Sequence, residues 1–411
     1  MKAVVIGGGI TGCLSALELI ERGFEVTIFE ASPRLGGILR DITVNEKIFF
    51  NCCQYLNSCG FDVLGLENDL YKFPHYYGSF TNLRASDRRL IFDCAQPCLS
   101  GSFHGFDEGR LRIDSSAYER LHAYGPDAGL LIAWARGFGD LKQLDYRCLT
   151  PMQLSRVHYP DDKEIDKKKR SAEHYDDVLA IPRGLRSPPA GPESAWLPKH
   201  GFDSFFDRLE RKLRAMGCSF RFNCPVRVSK AQKDRLTLSS KGETILFELA
   251  VWASNPTQLL SSLAGLKLST PPVKMTLAVG EFESTISPCW EVPIYWQFFS
   301  IGTNLVRIYI YQLQGKLRFS AEFFGRETSQ EVIRSVSEAL KILGFSVSFR
   351  IYGVVPQSRF VNFSTHEYGA VLDSEEPLLL NRIVPGAWLT YGREGKLNNV
   401  RRLLDRAMSC C

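Results

Sequence analysis

The chain has 411 residues, of which 45% are hydrophobic and 23% charged, with a formal net charge of +5. That length supports two cores and the composition is that of an ordinary globular protein. The mild basicity suits an anionic cofactor or substrate without demanding nucleic acid. No apolar run reaches the length of a transmembrane helix. Only Ala3 to Ile6 precede the first glycines, too few for a signal-peptide core, so a cytoplasmic location is the default expectation. The 12 cysteines follow neither a disulfide framework nor zinc spacing. Adjacent Cys410 and Cys411 read either as a frayed tail or as a lipid acceptor.

Ala3-Val4-Val5-Ile6 is the short continuous apolar run of a buried parallel strand. Leu14, Ala16, Leu17 and Ile20 form one face of the helix that follows, and Gly23 stops it. Glu25 to Phe29 is the second strand. From about 46 to 190 the pattern is irregular and aromatic-rich, with strands expected around Ser79 to Leu83 and Arg89 to Phe92. The charged stretch Asp161 to Asp177 reads as a solvated loop or frayed helix, and Pro182 to Pro192 as a connection. A helix is expected at 202 to 216, with Phe205, Phe206, Leu209 and Leu213 on one face. Strands follow at Ser219 to Phe222, Val226 to Ser229, Leu246 to Ala253, Met275 to Val279, Tyr295 to Phe299, Val306 to Tyr311 and Leu317 to Phe323. A helix at 328 to 343, a strand ending near Tyr352 and a last helix at 398 to 408 complete the reading. The fold class expected is α/β: a Rossmann-type domain with an inserted α+β domain containing a mainly antiparallel sheet.

Gly7-Gly8-Gly9-Ile10-Thr11-Gly12 fits G-x-G-x-x-G between a strand and an amphipathic helix. Gly7 permits the turn out of the strand. Gly9 leaves room for a pyrophosphate, and Gly12 lets helix and strand pack closely. The helix N-terminus, with Ile10 and Thr11 in its first turn, presents free N–H groups to the phosphates. Glu30 ends the second strand, where its carboxylate accepts from ribose hydroxyls and disfavours a 2′-phosphate.

The continuation Glu30-Ala31-Ser32-Pro33-Arg34-Leu35-Gly36-Gly37 resembles the extended FAD fingerprint of the amine oxidase, protoporphyrinogen oxidase and phytoene desaturase superfamily, a fold that UDP-galactopyranose mutase shares. The resemblance implies non-covalent FAD, with Arg34 and the Gly36-Gly37 pair holding its pyrophosphate and flavin side. Weaker resemblances follow. Leu197 to Phe202 is similar to the family's proline-glycine turn beside the flavin. Cys224-Pro225-Val226-Arg227-Val228 is similar to the strand whose valine, here Val226, holds adenine through its main chain. Val251 to Pro256 resembles an apolar strand ending in proline. Tyr391 to Val400 resembles the second FAD segment, which implies roles for Gly392, Arg393, Asn399 and Val400, with Asn398 or Asn399 capping the helix. The acid-x-Gly-x-His pattern that relatives place near the flavin is replaced by Asn51-Cys52-Cys53-Gln54-Tyr55, and the mutase's histidine-rich version is absent.

Five segments follow from the resemblance: a cofactor domain in three parts (1–45, 196–265 and 353–411) and a substrate region in two (46–195 and 266–352). The flavin performs the hydride step in such enzymes, so no acid–base triad is required. His200 is the one weak catalytic candidate, and a turn histidine is as readily structural. Cys52 and Cys53 either line the pocket or are buried inert thiols. No metal site is expected. The function expected is an FAD-dependent oxidoreductase acting on a small organic substrate. The alternatives are a flavin-dependent isomerase acting on a nucleotide sugar and an NAD-binding protein without flavin. Oligomeric state is not legible.

Overall fold

The computed structural model describes residues 1–52, 55, 56, 65–81, 90–93, 115–123, 128–146, 148, 193–230, 236–264, 271–283, 292–299, 303–342, 347–359, 362–386 and 393–409. Val4, Val5 and Ile6 are at most 4% exposed because β1 (Lys2–Ile6) lies mid-sheet with both faces covered. It leads into α1 (Ile10–Glu21) and β2 (Glu25–Phe29). Helix α1 closes in a Schellman motif: Phe24 N–H donates to Leu19 and Gly23 N–H to Ile20, with Gly23 at φ +84°. The hairpin β3 (Ile42–Val44) and β4 (Lys47–Phe49) comes next, then the long β5 (Leu70–Thr81) and β6 (Leu90–Asp93). Two short helices, α2 (Ala117–His122) and α3 (Ala128–Ala135), precede β7 (Glu193–Pro198).

Helix α4 (Phe202–Ala215) follows, with β8 (Ser219–Arg221), β9 (Val226–Lys230), β10 (Leu236–Ser240), β11 (Glu243–Ile245), β12 (Leu249–Trp252) and α5 (Thr257–Ala264). The later strands are β13 (Val273–Phe282), β14 (Ile294–Phe299), β15 (Leu305–Leu313) and β16 (Lys316–Phe324). Helix α6 (Ser329–Ile342), β17 (Phe349–Arg359), α7 (Thr365–Asp373), α8 (Glu375–Leu380), β18 (Ile383–Pro385) and α9 (Arg393–Ser409) end the chain.

A five-stranded parallel sheet runs β18-β12-β1-β2-β8. Its strands come from three distant stretches of sequence. Helix α1 turns Cys13, Leu14, Ala16, Leu17 and Leu19 into a core shared with the buried Leu403 and Leu404 of α9. Arg22 pairs with Asp405, and Arg401 with Glu18, across the same two helices. Helix α4 buries Phe202, Phe205, Phe206, Leu209 and Leu213 on one stripe, each worth roughly 1.5–3 kcal/mol of transfer free energy.

The second sheet has eight strands in the path β17-β13-β16-β15-β14-β5-β6, with β7 pairing β5 off that path. Its pairings are antiparallel except β14 with β5. One face packs Ala278, Ile308, Ile310, Phe319, Ala321 and Phe323 with Val332, Val336 and Leu340 of α6. The other face meets the segment 47–52, where Phe49 and Phe50 are fully buried.

The α/β class with an antiparallel sheet is as expected, while several boundaries differ. The stretch after 46 holds a regular hairpin turned at Asn45 and Glu46, both at positive φ. A twelve-residue strand starts at Leu70, not near 79. The strand ending near 352 continues to Arg359 because β13 pairs with it along its whole length. The last helix starts at Arg393, so Asn398 and Asn399 lie in its second turn and do not cap it. The charged stretch Asp161 to Asp177 and the connection Pro182 to Pro192 lie outside the described residues, as do Cys53, Gln54, Cys410 and Cys411. Among the described residues, no helix is long and apolar enough to cross a membrane.

Candidate functional site

The glycine loop sits beyond the C-terminal ends of β1, β2 and β12, in an open α/β sheet where β1 and β2 lead one way and β12 and β18 the other. Such a switch point leaves a crevice outside the strand ends. Gly7 N–H donates to Phe29 and Ala253 N–H donates to Ile6, which fixes the loop at the sheet edge. Gly7 itself is at φ +104°. The three motif glycines behave differently. A Cβ on Gly12 would stand 1.9 Å from the Gly7 carbonyl oxygen, so Gly12 serves packing. Among the described residues, a Cβ on Gly9 would meet nothing within 4 Å. Gly9 is the N-cap of α1 at φ −73°, ψ 176°, a conformation any residue adopts. Neither strain nor crowding within the protein requires glycine there. What the position leaves free is space in front of a helix N-terminus, the shape a phosphate group needs.

The Gly36-Gly37 pair packs directly on that loop. Gly36 N–H donates to the Gly8 carbonyl at 2.9 Å. A Cβ on Gly37 would lie 3.3 Å from the Gly9 Cα, and Gly36 (φ +119°) and Gly37 (φ +54°) both have positive φ. The 3-10 turn Gly37–Leu39 then carries Ile38 outward, 58% exposed.

Glu30 reaches back into the loop. Its Oε2 accepts from Gly8 N–H at 2.6 Å, and its Oε1 accepts from Ser32 N–H at 2.8 Å and Ser32 Oγ at 2.5 Å. The carboxylate therefore ties β2 to the glycine turn within the protein itself. Ala31 beside it is exposed. Around Glu30 the chain from 221 to 224 closes in: Glu30 N–H donates to Arg221, Cys224 N–H to Glu30 and Asn223 N–H to Ser32. This brings the start of β9, with Val226, to the Glu30 end of the crevice. The Val226 side chain is buried against Val4, Ile6 and Leu238, leaving its backbone as the group that could serve a ligand.

Other expected residues are placed less favourably. The Arg34 guanidinium, half exposed, is paired with Asp203 on the first turn of α4, so an anion must compete for it. Val400 is fully buried in the core beside α1. Its side chain packs in that core. Arg393 opens α9 and Asn399 lies within it, while Gly392 falls outside the described residues. His200 is exposed in the turn before α4. Cys52 is buried, which pushes its thiol well above the ordinary value, as expected of an inert thiol.

Three groups near the crevice were not expected from the sequence. Arg40 donates to the Leu35 carbonyl at 3.0 Å and to the Arg34 carbonyl and Ser32 Oγ, stitching the 32–36 loop shut. Asp41 accepts from Asp203 N–H at 2.9 Å and sits in front of the α4 N-terminus. A Cβ on Gly201, itself at φ +89°, would come within 2.4 Å of the Asp41 Oδ2. Burial pushes the Asp41 carboxyl up to about 7, opposed by the N–H donors of Asp203 and Phe202.

The third group is a buried ionic cluster on the large sheet. Glu322 is 1% exposed and lies between Arg307 and Arg359. Burial alone would raise its carboxyl, but the two guanidinium groups outweigh that and hold it below the ordinary value. The Cys52 thiol donates to Glu322 Oε1 at 2.6 Å, with Cys52 at φ +76°. Arg359 donates to Gln357 Oε1 and to Asn51 Oδ1, each at 2.5 Å, and Gln357 donates to Asn51 at 2.9 Å. Asn51 in turn donates to the Ile38 carbonyl at 3.1 Å. A contact chain thus runs from Gly9 through Gly37, Ile38 and Asn51 to Arg359 and Glu322. The signal was present in the period-2 pattern of β16, where Arg318, Ser320 and Glu322 share one face. Among the described residues, no group of acids, histidines and cysteines has metal-binding geometry.

Residues 5–65 match the model of the NAD(P)-binding Rossmann-like domain family. Over 38 residues, 9% of this chain, it is 71% identical to the carotenoid phi-ring synthase of Chlorobaculum tepidum. Over 69 residues, 17% of this chain, it is 35% identical to protoporphyrinogen oxidase 2 of Arabidopsis thaliana. These matches cover 6% and 14% of the two relatives' own lengths. A crystal structure of reduced UDP-galactopyranose mutase superposes over 100% of this chain and 96% of its own at a TM-score of 0.65 and 12% identity. The chain therefore has that protein's fold over its full length.

Proposed function

We propose that the chain is an FAD-dependent oxidoreductase, oxidising a small organic substrate by hydride transfer to a non-covalently bound flavin. The observation that carries this reading is the open space in front of Gly9. A helix N-terminus faces it, Gly37 packs beside it, and no atom of the described residues fills the place a Cβ would take. The residues fit the cofactor. The N–H groups of α1's first turn, at Ile10, Thr11 and Gly12, hold the pyrophosphate. Glu30 serves the ribose end, already fixed in direction by Gly8 and Ser32. The Val226 main chain serves adenine. Arg34 neutralises phosphate once released from Asp203. Gly392, Arg393 and α9 serve the flavin end. Of the relatives, one is by name a carotenoid phi-ring synthase and another a protoporphyrinogen oxidase, and the second name supports the oxidoreductase reading.

Bound flavin supplies the hydride acceptor. The protein contributes orientation, exclusion of water and charge. In this proposal the cofactor domain comprises 1–45, 196–265 and 353–411, and the substrate region 46–195 and 266–352. A second reading, isomerisation of a nucleotide sugar without net redox change, is favoured by the full-length likeness to the mutase. The absorption spectrum of the purified protein tests the shared premise: flavin bands are expected, and a colourless protein that takes up no FAD refutes it. Anaerobic bleaching of those bands by a reducing substrate selects the oxidoreductase. Turnover of a nucleotide sugar by pre-reduced protein, with the flavin unchanged at the end, selects the isomerase.

A further inference from the structure

Two carboxylates meet at the start of α4. Asp41 Oδ2 accepts from Asp203 N–H at 2.9 Å, and Asp203 Oδ1 accepts from Asp41 N–H at 3.3 Å. Each backbone thus holds the other residue's side chain, and α4, whose own N-cap is Gly201, takes its acceptor from residue 41. Asp41 is 7% exposed, and among the described residues its Oδ1 has no hydrogen-bond partner. The cation that offsets the two acids is Arg34, paired with Asp203 Oδ2. Arg40 does not stand in for it, because its guanidinium is committed to the Leu35 and Arg34 carbonyls and to Ser32 Oγ. Glu30 is turned to Gly8 and Ser32. Tyr311 on β15 lies within electrostatic range of Asp41, but burial pushes its hydroxyl up and keeps it neutral. Arg318 on β16 acts on Tyr311 and donates to the Ile48 carbonyl. His200, in the turn before α4, is exposed.

We propose that Arg34, Asp203 and Asp41 couple binding of the cofactor's phosphates to uptake of a proton at Asp41. This coupling rests on the flavin reading and adds a regulatory property to it. When Arg34 turns to phosphate, Asp203 loses its counter-charge. Two carboxylates are then left side by side, each bonded to the other's backbone, and like charges so close disfavour joint ionisation. The Asp203 side chain is 22% exposed and stays solvated, so the proton goes to the deeper acid. It arrives from solvent and binds Asp41 Oδ1, the oxygen with no bond to lose, while Oδ2 keeps the Asp203 N–H. Burial already places the Asp41 carboxyl at about 7 in the free chain, so the exchange falls in the neutral range. The sign follows from linkage: the bound chain holds the proton more tightly, so FAD affinity rises as pH falls from about 8 to 7. It levels off at lower pH, where Asp41 is protonated with or without the cofactor.

Calorimetric titration of the full-length chain with FAD, in two buffers of different ionisation enthalpy, counts the protons taken up. The parent is expected to take up roughly half a proton per FAD between about pH 7 and pH 8, and to bind roughly threefold tighter at the lower end. Asp41→Asn is expected to take up none and to bind FAD equally at both ends. The same uptake in Asp41→Asn as in the parent, or none in the parent, overturns the coupling. Asp203→Asn keeps the backbone bond to Asp41 but releases Arg34. It is expected to bind FAD roughly two- to fivefold tighter than the parent at about pH 8, the range an exposed ion pair is worth, and to take up less proton. Equal or weaker binding overturns the part assigned to Arg34. His200→Asn is expected to keep the parent's uptake; loss of uptake there moves the proton to His200 and overturns the assignment to Asp41. A parent that binds no FAD at either pH refutes the flavin reading and the coupling with it, whereas one that binds FAD without taking up a proton refutes the coupling alone.

Discussion

Replacing Gly9 by alanine separates folding from ligand binding at a single atom. The backbone there is at φ −73°, ψ 176°, which alanine adopts without strain. The added Cβ meets no atom of the described residues within 4 Å. Two small terms act on stability. Alanine is a poorer N-cap than glycine by roughly 0.5–1 kcal/mol. It also loses less chain entropy on folding, which offsets roughly 0.4–1 kcal/mol. The net change in unfolding free energy is thus expected to stay within about 0.5 kcal/mol. Binding is affected far more. The methyl group occupies the space in front of the α1 N-terminus and displaces the pyrophosphate from its N–H donors. Charge-assisted hydrogen bonds are worth roughly 1.5–3 kcal/mol each. Losing two weakens FAD on the order of a hundredfold or more. Urea unfolding of the apoprotein gives the first quantity, and fluorescence titration with FAD the second. A Gly9→Ala protein that keeps full FAD affinity removes the phosphate from this position. One that unfolds in the apo form shows that the space is not open.

Gly12→Ala has the reverse profile: with the Gly7 oxygen 1.9 Å from the new Cβ, the apoprotein should lose about 1–3 kcal/mol, read as a lower urea midpoint, and an unchanged midpoint contradicts the packing role. Glu30→Ala removes the acceptor of Gly8 N–H and Ser32 N–H, so it should lower apoprotein stability as well as FAD affinity, the latter by roughly 1.5–3 kcal/mol; loss of affinity alone would mean the loop does not depend on the carboxylate. Glu322→Ala leaves Arg307 and Arg359 facing each other in a buried site and should cost roughly 3–5 kcal/mol, against which a neutral result in urea unfolding would count. Asp41 gives a pH signature. Its folded value of about 7 lies above the ordinary 3.8, so the folded chain holds the proton more tightly than the unfolded one. Its contribution is complete below about pH 4 and is lost as pH rises to about 7. Asp41→Asn should flatten that decline and exceed the parent's stability near pH 8; parallel stability–pH curves for the two proteins refute the assignment.

The dinucleotide unit was legible in the sequence because every part of it is local. A buried parallel strand declares itself as Val4-Val5-Ile6, a helix face as Leu14 and Leu17, and the turn between them as glycines, of which Gly7 has a positive φ and Gly12 has no room for a Cβ. Glu30 and the Gly36-Gly37 pair follow within one further strand and loop. The later strands were also visible as alternating or continuous apolar runs, although their ends were set by pairing partners. Strand β17 runs to Arg359 only because β13 accompanies it.

What tertiary structure decided was which side chains meet across long separations. Arg34 pairs with Asp203, Asp41 faces the start of α4, Cys52 donates to Glu322, and Asn51 bridges Ile38 and Arg359. No local periodicity encodes such pairings. Apart from Asn51 and Ile38, the partners lie 162 to 308 residues apart, and each pairing depends on how distant elements assemble and on desolvation that exists only once they have. Val400 shows the same limit in the other direction: a motif position near the last helix became a core residue because α9 packs on α1. Local sequence therefore determined the glycine cradle, whose shape is carried by backbone. The charged surroundings of the crevice are carried by side chains, and only the fold could bring those together.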